Sequence, residues 1–362
     1  MDGANDLISF VASMAGEGNL RVEENFGEGF VRLRVSEAER RQAKHDIQHV
    51  EDIVIEMLRN ARDAGAKRIY VATGKDDGIR TLLFIDDGAG VPLDMQDRIF
   101  DARVTSKLES MKMDAWGVHG RGMALYSIRQ NALEARVVTS QVDLGSSFLV
   151  RVDCAQLPER ADQSTWPTAE RQEDGIYRCV RGPHNIVRAV GEFALDAQRT
   201  CDVFIGSPTE IAATLVDHAA HALDRSQVLF LDDVSTLPVP QRLGCAADAV
   251  GLVAACKGIG LDISERTAHR ILGGSFSPLS SVFSRLVRTR EPHVKRSASV
   301  DLARDRRGLR LSKEDVERFS RSLERDFDDL ARRYYVTPAG EPRIRVLHDR
   351  IVVTFPLRKD GE

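Results

Sequence analysis

The sequence predicts an α+β fold in which a helix with one apolar face leads into a layer of short strands. Three observations carry this expectation. Val50, Ile53, Val54, Met57 and Ala61 recur at helical spacing and make one face. Arg68–Ala72 and Thr81–Ile85 read as strands on either side of the turn-rich Gly74-Lys75-Asp76-Asp77-Gly78. Two more strand candidates, Ala135–Ser140 and Ser147–Val152, follow a helix over Met123–Ala132.

Taken in order, residues 20–35 alternate loosely around two glycines, as a short hairpin does. Ser36 with Glu39 three residues on is a capping box, and the helix it opens runs to about Ala64, where Gly65 stops it. Residues 86–122 are rich in glycine and charge. The polar segment Leu157–Asp174 reads as a domain boundary. Beyond it, Cys201–Ile205 is a strand candidate. Ser207, Pro208 and Glu210 supply cap, first-turn proline and capping glutamate for another helix. Gln227–Leu231 is expected as a strand, Ala246–Lys257, Glu265–Leu272 and Lys313–Tyr335 as helices, and Ile344–Phe355 as a hairpin turning at Asp349-Arg350. The expected division is a lead-in over 1–44, a first domain over 45–155 and a second α+β region over 175–362.

Composition narrows the function classes. A formal charge of −4 makes the whole molecule no magnet for nucleic acid, although it leaves a local basic face open. Cys154, Cys179, Cys201, Cys245 and Cys256 are odd in number and lack CxxC spacing, so they read as reduced thiols and not as a disulfide framework or zinc site. The N-terminal apolar run is too short for a signal peptide, and no stretch has the length of a membrane span. A cytoplasmic location is the expectation.

Four clusters carry chemistry. Glu56, Asn60 and Asp63 stand at i, i+4 and i+7 beside the apolar helix face, where polar groups can line a pocket floored by the sheet. Arg59 and Arg62 fall on the remaining arc and are expected at the surface. Asp86-Asp87-Gly88-Ala89-Gly90 directly follows a strand: a carboxylate there can accept from an exocyclic amine, and glycines let backbone approach a flat ring. Gly117-Val118-His119-Gly120-Arg121-Gly122 leads into a helix whose free N–H groups and dipole favour an anion. Gly145-Ser146-Ser147 precedes the last strand. Alone, the first is better explained by a solvated helix edge, the second reads equally as a plain turn, and the third and fourth are weak strings.

In this order, however, ExxxNxxDA, DxGxG, GxxGxG and a late GS resemble the four boxes of the GHKL superfamily, which includes gyrase, the ninety-kilodalton heat-shock chaperone, histidine kinases and MutL. The resemblance covers about a third of the chain. It implies a Bergerat-type α/β sandwich, a mixed, mostly antiparallel sheet covered by helices, that binds ATP with Mg²⁺. By the same resemblance Asp86 binds the adenine amino group with Gly90 beside it, Asn60 coordinates Mg²⁺, and Glu56 orients or deprotonates the attacking water. Gly117, Gly120 and Gly122 wrap the phosphates, and residues 92–120 form a lid in which Thr105-Ser106-Lys107 resembles a lid motif of MutL, with Lys107 and His119 as phosphate contacts. Asp63, Gly88, Arg121 and Ser146 lie within the same boxes and are expected at the nucleotide with them.

The resemblance leaves the reaction open. Glu56, four residues before Asn60, and the string EMLRNARDAGAKRI favour hydrolysis in the manner of MutL. Ile99–Lys107 also resembles a kinase box, so a serine or histidine kinase on the same fold stands as the alternative, as does a nucleotide-sensing module without turnover. Only about sixty residues precede Asn60, and His45 and His49 lie on its own helix, which argues against the usual sensor kinase. MutL and the B subunit of topoisomerase VI are the nearest models, implying a homodimer closed by ATP, with DNA or a protein as client. Leu261–Leu272 can be read as the second helix of a helix-turn-helix, although an ordinary capped helix explains it better.

Overall fold

The computed structural model describes residues 22–27, 29–105, 112–114, 117–119, 122–160, 162–197, 200–223, 231, 233–288, 313–334, 336–340, 342–346 and 351–359, with backbone alone over 112–119. Two units are present, Met1–Glu291 and Pro292–Glu362.

In the first unit, strands β1 (Val22–Gly27) and β2 (Phe30–Leu33) form the expected hairpin. The capping box at Ser36 is made, with Ser36 Oγ accepting from the Glu39 amide at 3.3 Å, but the helix it opens is shorter than expected. It breaks into α1 (Glu37–Asp46) and α2 (Val50–Asp63) because Ile47 is extended and Asp52 accepts from the amides of Gln48 and His49, starting a new helix there. Gly65, at φ +77°, ends α2: the amides of Gly65 and Ala66 close back onto the Arg62 and Ala61 carbonyls.

Strands β3 (Arg68–Asp76) and β4 (Ile79–Asp86) run longer than the sequence suggests, meeting at Asp77-Gly78, where both residues take positive φ as a tight hairpin turn requires. Next come β5 (Val104–Thr105), β6 (Lys112–Asp114), β7 (Gly117–His119), α3 (Ala124–Asn131), β8 (Glu134–Ser140) and β9 (Ser146–Asp153). A hairpin, β10 (Thr168–Arg171) with β11 (Tyr177–Arg181), and a helix, α4 (Ile186–Asp196), follow and were not anticipated. Then come β12 (Asp202–Gly206), α5 (Pro208–Ala222), α6 (Ala249–Gly258), α7 (Glu265–Leu272) and α8 (Val282–Arg288). Residue 231 is not in a strand, and the rest of the expected strand 227–231 lies outside the described residues.

The central sheet has the order β12-β3-β4-β9-β8, with β12 parallel to β3 and every other pair antiparallel. It is the mixed, mostly antiparallel sheet expected. Alternation along the strands serves two cores. Ile69, Val71, Leu82 and Phe84 pack with Ile53, Val54, Met57 and Leu58 of α2 on one face. Tyr70, Ala72, Leu83 and Ile85 pack on the other face with Ile211 and Leu215 of α5 and with Leu252, Cys256 and Ala268 from α6 and α7.

That second face departs from the expected boundary at 157–174. This segment lies inside the first unit, and β12, α5, α6 and α7 return to the sheet because its far face is apolar and has to be covered. A parallel edge strand needs a long crossover, so nothing local to residues 202–206 announces its partner.

The second unit holds α9 (Lys313–Tyr334) and two antiparallel pairs, β13 (Val336–Pro338) with β16 (Leu357–Lys359) and β14 (Arg343–Val346) with β15 (Ile351–Thr354). The expected hairpin is thus present, its turn lying outside the described residues. Phe327 stacks on Phe355 at 4.2 Å between ring centroids.

Candidate functional site

A cavity of about 610 Å³ opens between α2, the ends of β4 and β9, and the start of α3. Glu56, Asn60, Asp63, Asp86, Gly90, Thr105, Gly122 and Ser146, all expected at the site, line it together.

Asp86 is the floor. It is the last residue of β4, only 2% exposed, and its Oδ1 and Oδ2 accept from the Gly88 amide and the Ser146 hydroxyl, each at 2.8 Å. Burial pushes its carboxyl up to about 6, against the lowering effect of those two hydrogen bonds. Asp87 does different work: its Oδ1 accepts from the Lys67 and Arg68 amides at 2.7 and 2.8 Å and ties the loop to the start of β3.

Glycine is required where this loop meets the one before β9. Gly90 has φ +69° and Gly145 φ +82°; a Cβ on the first would collide with the Gln141 carbonyl, and one on the second with the Asp86 carbonyl. Ser140 Oγ locks the two loops together, accepting from the Val91 amide at 2.7 Å and donating to the Gly145 carbonyl at 3.0 Å. Gly88 does not line the cavity. It sits behind Asp86, against Ala64.

On the helical wall, Glu56 accepts from Arg59 at 2.6 Å. Arg59, expected at the surface, is 3% exposed and also lines the cavity. An i,i+3 carboxylate–arginine spacing was the available signal for this pair. Arg62 pairs instead with Asp63 at 3.7 Å and Asp196 at 3.4 Å. Asn60 Nδ2 is buried and has no hydrogen-bond partner among the described residues.

The expected lid over 92–120 is not uniform: its first part packs into the core through Met95, Ile99 and Phe100, and the chain leaves the core only further on, between two points that touch. The Arg103 amide donates to the Gly122 carbonyl at 2.8 Å, just before the chain departs at β5 and just where it returns. Gly122 has φ +67° and packs on the Val104 carbonyl. Ala124, Leu125 and Ser127 then bring the first turn of α3, with its free amides, to the cavity. Lys107, Gly120 and Arg121 lie outside the described residues. Gly117 and His119 belong to β7, paired with β6.

The sequence reading missed the contribution of the lead-in. Phe30, Gln42, Asp46 and Ile47 line the cavity, and β2 pairs with β5 through Val31↔Thr105 and Arg32↔Val104. Glu39 of α1 also forms an ion pair with Arg103. Phe30 and Gln42 are distant in sequence from every motif, Asp46 and Ile47 lie just past the lead-in on the approach to Glu56, and no local pattern marks any of them.

A buried acceptor at a glycine-bounded floor, an amide and carboxylates on one wall and a helix start opposite can hold a flat amino-bearing ring and a polyanion at once. Among the described residues no cluster of three or more His, Cys, Asp or Glu could hold a metal. A hard cation here would therefore share its ligands with a bound polyanion, for which the Asn60 amide is suited.

Comparison with known proteins adds the following. Residues 45–156 match the model of the histidine kinase-, DNA gyrase B-, and HSP90-like ATPase family. The DNA mismatch repair protein MutL of Thermus aquaticus is 40% identical over 83 residues, 23% of this chain and 15% of that protein. MutL of Chelativorans sp. (strain BNC1) is 38% identical over 105 residues, 29% of this chain and 17% of that protein. The match thus spans less than a fifth of these relatives. A crystal structure of full-length ShkA in complex with AMPPNP aligns over 57% of this chain and 46% of that one, at 16% identity and a TM-score of 0.22, too low to carry any argument. No helix among the described residues is long and apolar enough to cross a membrane.

Proposed function

Residues 45–156 match the model of the histidine kinase-, DNA gyrase B-, and HSP90-like ATPase family, and from that premise we propose that this chain binds ATP with Mg²⁺ and hydrolyses it, using nucleotide-driven lid closure and dimerisation as a conformational switch. The observation that carries the reading is Asp86, a buried carboxylate whose two partners both donate to it. A carboxylate has about four acceptor sites, so it still has capacity for the exocyclic amine of adenine. That charge-assisted hydrogen bond contributes on the order of 1.5–3 kcal/mol.

Glu56 is the group that orients the attacking water and takes its proton, with Arg59 holding its carboxylate in place. Asn60 would hold Mg²⁺, which would supply charge neutralisation at the phosphates. Thr105, Gly122 and the first amides of α3 take the phosphates, joined by Lys107, Gly117, His119, Gly120 and Arg121 from the lid. The client is DNA, by analogy with relatives whose name is DNA mismatch repair protein.

The test is ATP turnover by wild type, Glu56→Ala and Asp86→Asn, with and without duplex DNA. Hydrolysis that needs Glu56 and is stimulated by DNA supports the reading. ATP binding without turnover under either condition would sink the hydrolysis reading and direct attention to phosphoryl transfer onto a protein.

A further inference from the structure

Behind the lid root lies a second cavity of about 480 Å³, walled by the N-terminal hairpin, α1 and α3. It shares its wall with the first. Ile99, Val104 and Leu125 face the nucleotide cavity, whereas Phe100, Ala102 and Tyr126 face this one. Its lining is dominated by charged and polar side chains, three of them arginines: Arg32, Arg40 and Arg129.

The three arginines are not equivalent. Arg32 donates to Glu24 at 3.1 Å and to Asp101 at 2.9 Å, so it is committed to holding the wall together. Arg40 has no side-chain hydrogen bond or ion pair among the described residues. Arg129 lies over the Phe100 ring at 5.5 Å and makes one long contact, 3.4 Å, to the Asp97 carbonyl. Arg32 is shared between Glu24 and Asp101, and Glu23 is the lining carboxylate without an ion pair among the described residues. Arg40 and Arg129 are therefore the lining cations with no carboxylate partner among the described residues, and they face Glu23 and the one negative charge that Arg32 leaves over on Glu24 and Asp101. Arginine's planar fork fits phosphate oxygens two at a time, and the cation–π contact of Arg129 with Phe100 restrains that side chain. The volume suits a small molecule.

We propose that this cavity is a second ligand site, distinct from the nucleotide cavity, that takes a small phosphorylated molecule through Arg40 and Arg129. The phosphate lies between the two guanidinium groups, with the Tyr126 hydroxyl available as a further donor. Glu23 opposes the anion and limits its affinity. The site does not depend on what occupies the first cavity, so the two readings stand or fall separately.

The experiment is titration of the full chain with inorganic pyrophosphate by calorimetry, with hydrogen–deuterium exchange locating the protected segments. The expected result is a binding event protecting residues 32–40 and 126–130, weakened roughly tenfold by Arg40→Gln and by Arg129→Gln. Glu23→Gln should tighten the same event, because it removes the opposing charge. Circular dichroism checks the fold of each variant; should Arg129→Gln unfold through loss of its contact with Phe100, the exposed Arg40 and Glu23 still decide. Affinity indifferent to both Arg40→Gln and Glu23→Gln, protection confined to residues 56–64 and 86–90, or absence of binding would each overturn the proposal.

Discussion

Ser146 and Asp86 are cross-strand partners at the joined ends of β9 and β4, and the Ser146 hydroxyl donates to Asp86 Oδ2 at 2.8 Å. The register of the central sheet thereby places a hydroxyl that partly offsets the upward push of burial on the Asp86 carboxyl. Removing the hydroxyl in Ser146→Ala deletes one of the two contacts that favour the ionised form, so the Asp86 carboxyl should rise above about 6. Nucleotide affinity at pH 7 should fall roughly tenfold. Equilibrium binding across pH 5–8 checks this, and an unchanged profile would remove Ser146 from the site.

Asp86 itself opposes stability in order to serve binding. Its folded value of about 6 lies above the ordinary 3.8, so the wild type is relatively stabilised at low pH and loses that contribution as pH rises through about 6. Asp86→Asn escapes the penalty. It should be about 1–3 kcal/mol more stable than wild type at pH 8, with the gap closing between pH 6 and 4. Urea unfolding at pH 8 and pH 4.5 measures the difference, and nucleotide binding should be lost at both.

Gly145→Ala should be far more harmful than its size suggests. The new methyl would meet the Asp86 carbonyl, in a backbone conformation that already disfavours side chains. A loss of about 3 kcal/mol or more is expected, with the floor displaced. Thermal unfolding tests the first part. A variant as stable as wild type would mean that the two loops are further apart than described.

Arg59 and Glu56 separate chemistry from binding. Glu56→Gln should lower turnover by roughly a hundredfold or more with nucleotide affinity retained. Arg59→Met keeps the volume but removes the partner of Glu56, and should lower kcat about tenfold or more with a smaller change in KM. Single-turnover kinetics distinguish the two, and equal loss of binding in both would assign the pair to structure alone.

The sequence by itself determined the parts whose chemistry is written over a few residues. The capping boxes at Ser36 and Ser207, the Gly65 stop, the Asp77-Gly78 turn and the run from Asp86 to Gly90 depend on backbone geometry and hydrogen bonds within a turn or two. Glu56, Asn60, Asp86, Gly122 and Ser146, placed at one site by the resemblance of their ordered motifs to the GHKL boxes, line one cavity. Only the tertiary structure decided the rest. Whether Arg59 is buried was decided by packing, and which strand pairs with β3 at the sheet edge and what covers Tyr70 and Ile85 depend on surfaces brought together from more than a hundred residues apart. The attachment of the lead-in to the lid root through β2, β5 and the Glu39–Arg103 pair is of the same kind. Hydrophobic burial is non-directional: the alternation in β3 and β4 says that both faces must be covered, and leaves the choice of cover to the packing of the whole chain.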